Sequence, residues 1–113
     1  MHELSIAEGV LRIVDAEAKA RGFTRVLSLR MRIDEFSGVL PDCLRAFFPL
    51  AARGGPAEGA SLLIEEVPGR FRCAGCGYEG AIARHEACCP VCGGSDIRMV
   101  AGRECYVEDM TVE

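Results

Sequence analysis

No apolar run in this chain approaches the roughly 20 residues that a membrane-spanning helix needs. The opening residues are charged and polar, so no cleavable signal is expected either. Bases are in deficit: 13 lysines and arginines against 17 acids leave a formal charge of −4. That is the wrong sign for an electrostatic grip on nucleic acid. The deficit is even, 8 bases against 10 acids up to Glu66 and 5 against 7 afterwards, so neither part hides a basic surface. A Ser-His-Asp set, a phosphate-binding loop and a convergent pair of acids are also missing, which leaves hydrolase and NTPase chemistry without residues. Nor is there an internal repeat or a low-complexity tract.

What is present suffices for a packed core. Half of the 113 residues are hydrophobic, enough for one domain, or one domain with a small appendage. Leu4, Ala7, Leu11, Val14 and Ala18 recur at steps of three and four, which places them on one face of a helix. Ser5 followed by Glu8 fits a capping box with Ser5 as N-cap, which leaves Met1 to Leu4 outside the helix; Gly22 stops it. Leu27, Leu29, Met31 and Ile33 alternate with Ser28, Arg30 and Arg32 as a half-buried strand. A turn at Phe36-Ser37-Gly38 leads to a second helix opened by Pro41, with Leu44, Phe47, Phe48 and Ala51 inward. Pro49 is expected to distort or shorten its final turns. A second strand is expected from about Ala60 to Val67. In the last stretch Cys105 and Val107 share a face, and Met110 and Val112 resume after a one-residue slip, the mark of a bulge. Between Arg70 and about Gly102 regular periodicity vanishes. The expected fold is α+β: a small three-stranded sheet with two helices, plus an inserted zinc-ribbon-like module. In residue ranges, 1–68 with 103–113 would form the α+β body and 69–102 the module.

Seven cysteines are an odd count, five of them between Cys73 and Cys92, which argues against a disulfide framework and for a metal in a reducing compartment. Cys73-Ala-Gly-Cys76-Gly77 and Cys89-Pro-Val-Cys92-Gly93 are two knuckles separated by twelve residues. Each lets two sulfurs of one tight turn reach a single ion, and glycine after the second cysteine accepts the left-handed backbone such a turn requires. Four thiolates close a tetrahedral site that suits structural Zn(II) and leaves no position for catalytic water. Iron in a rubredoxin-like site is the competing metal. A dithiol redox motif is disfavoured, because no βαβ setting surrounds the pairs. Cys88 leaves a second register open, Cys88-x-x-x-Cys92, although the doubled Cys-x-x-Cys-Gly pattern favours Cys89. Cys43 and Cys105 fall on helix and strand patterns as small core residues. His85, between the knuckles, reads as a surface loop residue that could approach the metal or sense pH.

The chain opens Met1-His2-Glu3. With a free terminus, the Met1 amine, the His2 amide nitrogen and the His2 imidazole can close fused five- and six-membered chelate rings. Glu3 adds a carboxylate or its own amide nitrogen. Such nitrogen-rich donors suit Ni(II) or Cu(II). A helix dipole just behind the site cuts both ways, welcoming the carboxylate and opposing the cation; an open or incompletely protein-ligated site would bind a metal that can be handed on.

Met-His-Glu-Leu-Ser at Met1 to Ser5, Glu35-Phe36-Ser37-Gly38-Val39, Ala57-Glu58-Gly59-Ala60 with Leu62, Ile64 and Val67, the two knuckles and the closing stretch Glu104 to Glu113 together resemble the hydrogenase maturation nickel metallochaperone family HypA/HybF. The likeness spans nearly the whole chain in order. It departs at Cys88 and at Cys105, where a larger aliphatic residue is usual. The resemblance implies a metal carrier, not an enzyme. His2 would be the essential nickel ligand, helped by the Met1 amine, nearby backbone nitrogens and Glu3. Cys73, Cys76, Cys89 and Cys92 would hold structural zinc. Implied partners are a HypB-type GTPase and the hydrogenase large subunit, with urease accessory proteins for some members. A cytoplasmic monomer is expected, and an exchangeable terminal strand allows a dimer. The alternative reading is a zinc-ribbon module that binds protein or nucleic acid and delivers no nickel.

Overall fold

The structure, a computed structural model, describes residues 2–82 and 86–113. Its elements run α1 (Glu3–Arg21), β1 (Val26–Asp34), α2 (Pro41–Ala51), β2 (Ser61–Val67), β3 (Arg70–Cys73), β4 (Glu79–Gly80), β5 (Ile97–Ala101) and β6 (Cys105–Val112). Two three-stranded sheets result, ordered β2-β1-β6 and β4-β3-β5. The first is the expected small sheet with two helices. In it β1 pairs parallel with β2, which requires the crossover that α2 supplies, and antiparallel with β6. The second sheet is built from strands too short for periodicity to mark, although Phe71 and Cys73 alternate with Arg70 and Arg72.

Helix α1 begins earlier than its Ser5 signal suggested. His2 is the N-cap, so Glu3 and Leu4 are helical. The helix stops at Gly22, where φ is 77° and the amide reaches the Ala18 carbonyl at 2.8 Å. Its buried stripe is Ala7, Val10 and Val14, with Ile6 and Leu11 half-buried and Leu4 turned outward. Helix α2 runs through Pro49 and ends two residues later at Ala51. It buries Leu44 and Phe48, while Phe47 is 40% exposed and not inward as its spacing suggested.

Two irregularities shape the first sheet. Between Val26 and Ser28 the pairing of β1 with β6 slips, so Leu27 faces outward and Val26 takes the core position expected for Leu27. Between Arg30 and Met31 the partners are Asp109 and Val107, which leaves Glu108 as the extra residue of the bulge expected in β6. Leu29, Met31 and Ile33 are buried as expected.

The core lies between this sheet and the helices: Ala7, Val10, Val14, Val26, Leu29, Met31, Ile33, Leu44 and Phe48 are its centre. Around the second sheet the buried apolar side chains are Cys73, Ile82 and Cys89, among the described residues. The radius of gyration is 17.7 Å, against about 13 Å for a compact ball of this length. Among the described residues apolar packing is concentrated at one sheet of a long molecule, so the other sheet must be held largely by different means.

The two sheets join where β1 ends. Three successive amides grip both connections: Asp34 N–H donates to the Glu104 carbonyl (2.9 Å), Glu35 to Val67 (2.8 Å) and Phe36 to Gly102 (2.8 Å). The Glu35 carboxylate accepts from Gly69 at 3.0 Å. Asp34 is 1% exposed, and its carboxylate accepts from Arg32 Nε at 2.8 Å and from the Glu104 amide at 3.1 Å. The Arg32 hydrogen bond holds the Asp34 carboxyl below its usual range, against the cost of burial. A Cβ on Gly102 would lie 2.9 Å from Gly69 Cα, and a Cβ on Gly69 would lie 2.7 Å from the Phe36 ring. That ring stands edge-on to Phe71 at 5.7 Å. Only glycine lets the two connections pass each other this closely.

Candidate metal centres

The second sheet ends in two loops of the same construction. In the first, Cys73 closes β3, the Gly77 amide donates to the Cys73 carbonyl at 2.9 Å and Gly77 has φ 81°. In the second, the Gly93 amide donates to the Cys89 carbonyl at 2.9 Å and Gly93 has φ 74°. The left-handed glycines anticipated after each cysteine pair are therefore in place. Backbone amides also turn toward sulfur: Val91 N–H to Cys89 Sγ and Gly94 N–H to Cys92 Sγ, both at 3.4 Å.

These loops bring together the four cysteines of the two Cys-x-x-Cys pairs. The sulfurs of Cys73, Cys76, Cys89 and Cys92 all lie within 4.8 Å of one another. Cys73 and Cys92 are 3.7 Å apart, Cys76 and Cys89 3.6 Å. Both distances are far beyond a disulfide bond. They are close to the edge of about 3.8 Å that a tetrahedron of sulfurs has at a zinc–sulfur distance of about 2.3 Å. The sulfurs are electrostatically unequal without an ion. Amides of Cys92 and Val91, with neighbouring sulfurs, outweigh desolvation and bring Cys89 down to about 7. At Cys76 the Tyr78 amide pulls down, but desolvation and the three other sulfurs push the thiol up to about 12. A cation would relieve that conflict by ionising all four. Cys88 stays outside the cluster, half-buried. Cys105 packs on the core, and Cys43 is half-buried on α2. His85 lies outside the described residues.

At the other candidate centre the ligand types sit on a helix terminus. The His2 side chain is exposed, and its Nδ1 accepts the Leu4 amide at 3.3 Å. Its Nε2 is 3.4 Å from Ser5 Oγ. Glu3 reaches across to the other helix, where its carboxylate accepts the amide of Leu40, the N-cap of α2, at 3.1 Å. Two helix N-termini therefore stand side by side with this carboxylate between them, which answers both dipoles. Met1 lies outside the described residues. The structure does not bring His2 or Glu3 to the cysteine cluster. Sequence reasoning missed the capping role of His2 and the locking role of Asp34. The first could have been found from the imidazole's acceptor nitrogen ahead of a helix; nothing local marks the second.

Among the described residues no helix is long and apolar enough to cross a membrane. The family model for hydrogenase/urease nickel incorporation, metallochaperone, HypA, matches residues 1–112. The hydrogenase maturation factor HypA of Cereibacter sphaeroides is 43% identical over 113 residues, covering 100% of both chains. That of Chlorobium luteolum is 39% identical, covering 100% of this chain and 97% of the relative. The solution structure of the Ni metallochaperone HypA from Helicobacter pylori superposes with a TM-score of 0.68 at 18% identity, covering 99% of this chain and 97% of that one. Its likeness supports the fold: two helices, small sheets and a zinc-ribbon-like arrangement of four cysteines. The chain belongs to the HypA family of nickel-incorporating metallochaperones, maturation factors and not catalysts, the family that its sequence resembled.

Proposed function

We propose that this chain carries Ni(II) at its N-terminus and delivers it during [NiFe]-hydrogenase maturation. His2 is the principal ligand, with the Met1 amine and Glu3 as further donors. Cys73, Cys76, Cys89 and Cys92 hold a structural Zn(II). The unit 69–102 is then a zinc-folded module set into an α+β body made by 1–68 and 103–113. A cytoplasmic monomer working with a HypB-type GTPase and the hydrogenase large subunit fits this reading, as would service to urease accessory proteins.

The observation that carries the proposal is the state of His2: exposed, ahead of the first helix, and held only by long contacts, Nδ1 to the Leu4 amide at 3.3 Å and Nε2 to Ser5 Oγ at 3.4 Å. A six-membered chelate through the residue's own amide nitrogen closes on Nδ1, the atom that now accepts from Leu4. Nickel and the helix cap therefore compete for one lone pair. A cap of this kind is worth about 1 kcal/mol. Recruitment of the Glu3 carboxylate would likewise give up its bond to Leu40. Loading trades helix-end bonds for metal bonds, and release restores them, which suits a cargo better than a buried cofactor.

The test is a nickel titration of protein with its native first residue, beside His2→Ala and a variant extended at the N-terminus. Loss of the tight site in His2→Ala, and weaker binding in the extended protein, are expected. Equal binding of one nickel by all three would refute the terminal site. For zinc, elemental analysis after Cys73→Ser should show the metal lost; unchanged zinc would remove the cysteines from the site.

A further inference from the structure

Strand β6 is an edge: in the order β2-β1-β6 nothing pairs with its outer side among the described residues. Edges are commonly blunted by lysine, proline or a covering helix. Here the last ten residues, Glu104 to Glu113, hold four acids and neither a base nor a proline. Between this strand and α1 runs an open groove of about 700 Å³, floored by Ile6, Val10, Ile13, Phe23, Val107 and Met110. Glu108 and Asp109 of the same strand border this groove. Asp109 is paired with Arg30 at 3.6 Å and Glu113 with Arg25 at 3.4 Å. Glu108, the extra residue of the bulge, is exposed. Loss of solvent and the neighbouring Glu65 push its carboxyl up, while Arg30 pulls it down.

We propose that the β6 edge binds an extended peptide of a partner protein whose apolar residues alternate with lysine or arginine. The period of a strand makes the two halves of the site one recognition device. A strand added beside β6 turns alternate side chains into the apolar groove and the others over Glu108 and its neighbouring acids. The main-chain edge supplies affinity, and the charge supplies direction and choice of partner. A second copy of this chain is a poor occupant, because β6 laid against β6 sets acids against acids. On the other edge, β2, Glu66 is ion-paired with Arg45 at 3.8 Å and Glu65 lies beside Glu108.

The probe is an eight-residue peptide alternating valine with lysine, added to the nickel-free full-length chain and followed by amide NMR shifts and calorimetry. Saturable binding that perturbs residues 105–112 and the groove is expected, weakening as salt rises. A peptide of the same composition with valines and lysines in separate blocks should bind about tenfold or more weakly. Glu108→Lys, at an exposed bulge, should keep the fold by circular dichroism and lose about tenfold in affinity, with Glu108→Gln between. Equal binding of the block peptide, indifference to Glu108→Lys, or shifts confined to β2 would overturn the proposal. So would a peptide-blocked dimer paired through β6 in sedimentation.

Discussion

His2 has two duties on one imidazole, and substitutions can separate them. Asparagine is a strong N-cap without the metal-binding ring. His2→Asn should therefore keep thermal stability near that of the parent while losing tight nickel. His2→Ala should lose nickel and also about 1 kcal/mol, a few degrees in Tm. Calorimetry of both variants checks this; equal stability would deny the cap. Asp34 is the other residue with unusual weight. Its carboxyl is held below the usual 3.8, chiefly by the Arg32 hydrogen bond. A lowered folded value means that the stabilisation is complete above the usual carboxylate range and drains away as pH falls through the lowered value. Asp34→Asn should cost about 1–3 kcal/mol at pH 7, because a buried hydrogen-bonding site loses its charge. Denaturant unfolding at pH 7 and pH 3 should show the gap narrowing in acid.

At the scale of elements, legibility tracked how far each signal is local. Gly22 and Pro41 punctuate the helices as expected, because capping and proline chemistry act within a few residues. The bulge at Glu108 was legible as a slip in alternation, and the glycine-ended knuckles as a spacing. The strands Arg70–Cys73, Glu79–Gly80 and Ile97–Ala101 were not, being too short for a period to repeat. Leu27 was assigned to the wrong face because the irregularity that reverses it depends on pairing with β6, residues 78 or more positions away. Phe47 misled for a related reason: its helix is amphipathic, but which side meets the sheet is decided by the crossover. The cysteine cluster was legible to the residue and the tie between Glu3 and Leu40 was not, since that contact is made by tertiary packing alone. Leu44, fully buried beneath α2, is a point where expectation and structure agree. Leu44→Ala should cost about 2–5 kcal/mol by chemical denaturation.

The whole molecule has two ways of staying folded. Among the described residues, one sheet rests on an apolar core and the other buries little besides cysteine and Ile82. Stripping the proposed zinc with a strong chelator should collapse amide dispersion over residues 70–101 while the methyl signals of Leu29, Met31 and Ile33 stay put. Simultaneous loss of both would mean a single cooperative unit. The junction should be less forgiving than either side. Gly102 has φ 146° and backbone in its way, so Gly102→Ala should cost about 1–3 kcal/mol in thermal unfolding. The crossing of Gly69 and Gly102 has one more result, seen from the standpoint of polymer topology. Everything between these glycines begins and ends at nearly the same point, so to the α+β body it is a closed loop with no span of its own. Closing a loop grows only slowly more costly as it lengthens. The body can therefore tolerate a longer, shorter or different excursion there without retuning its own pairings, and the excursion can unfold without pulling β1 and β6 apart.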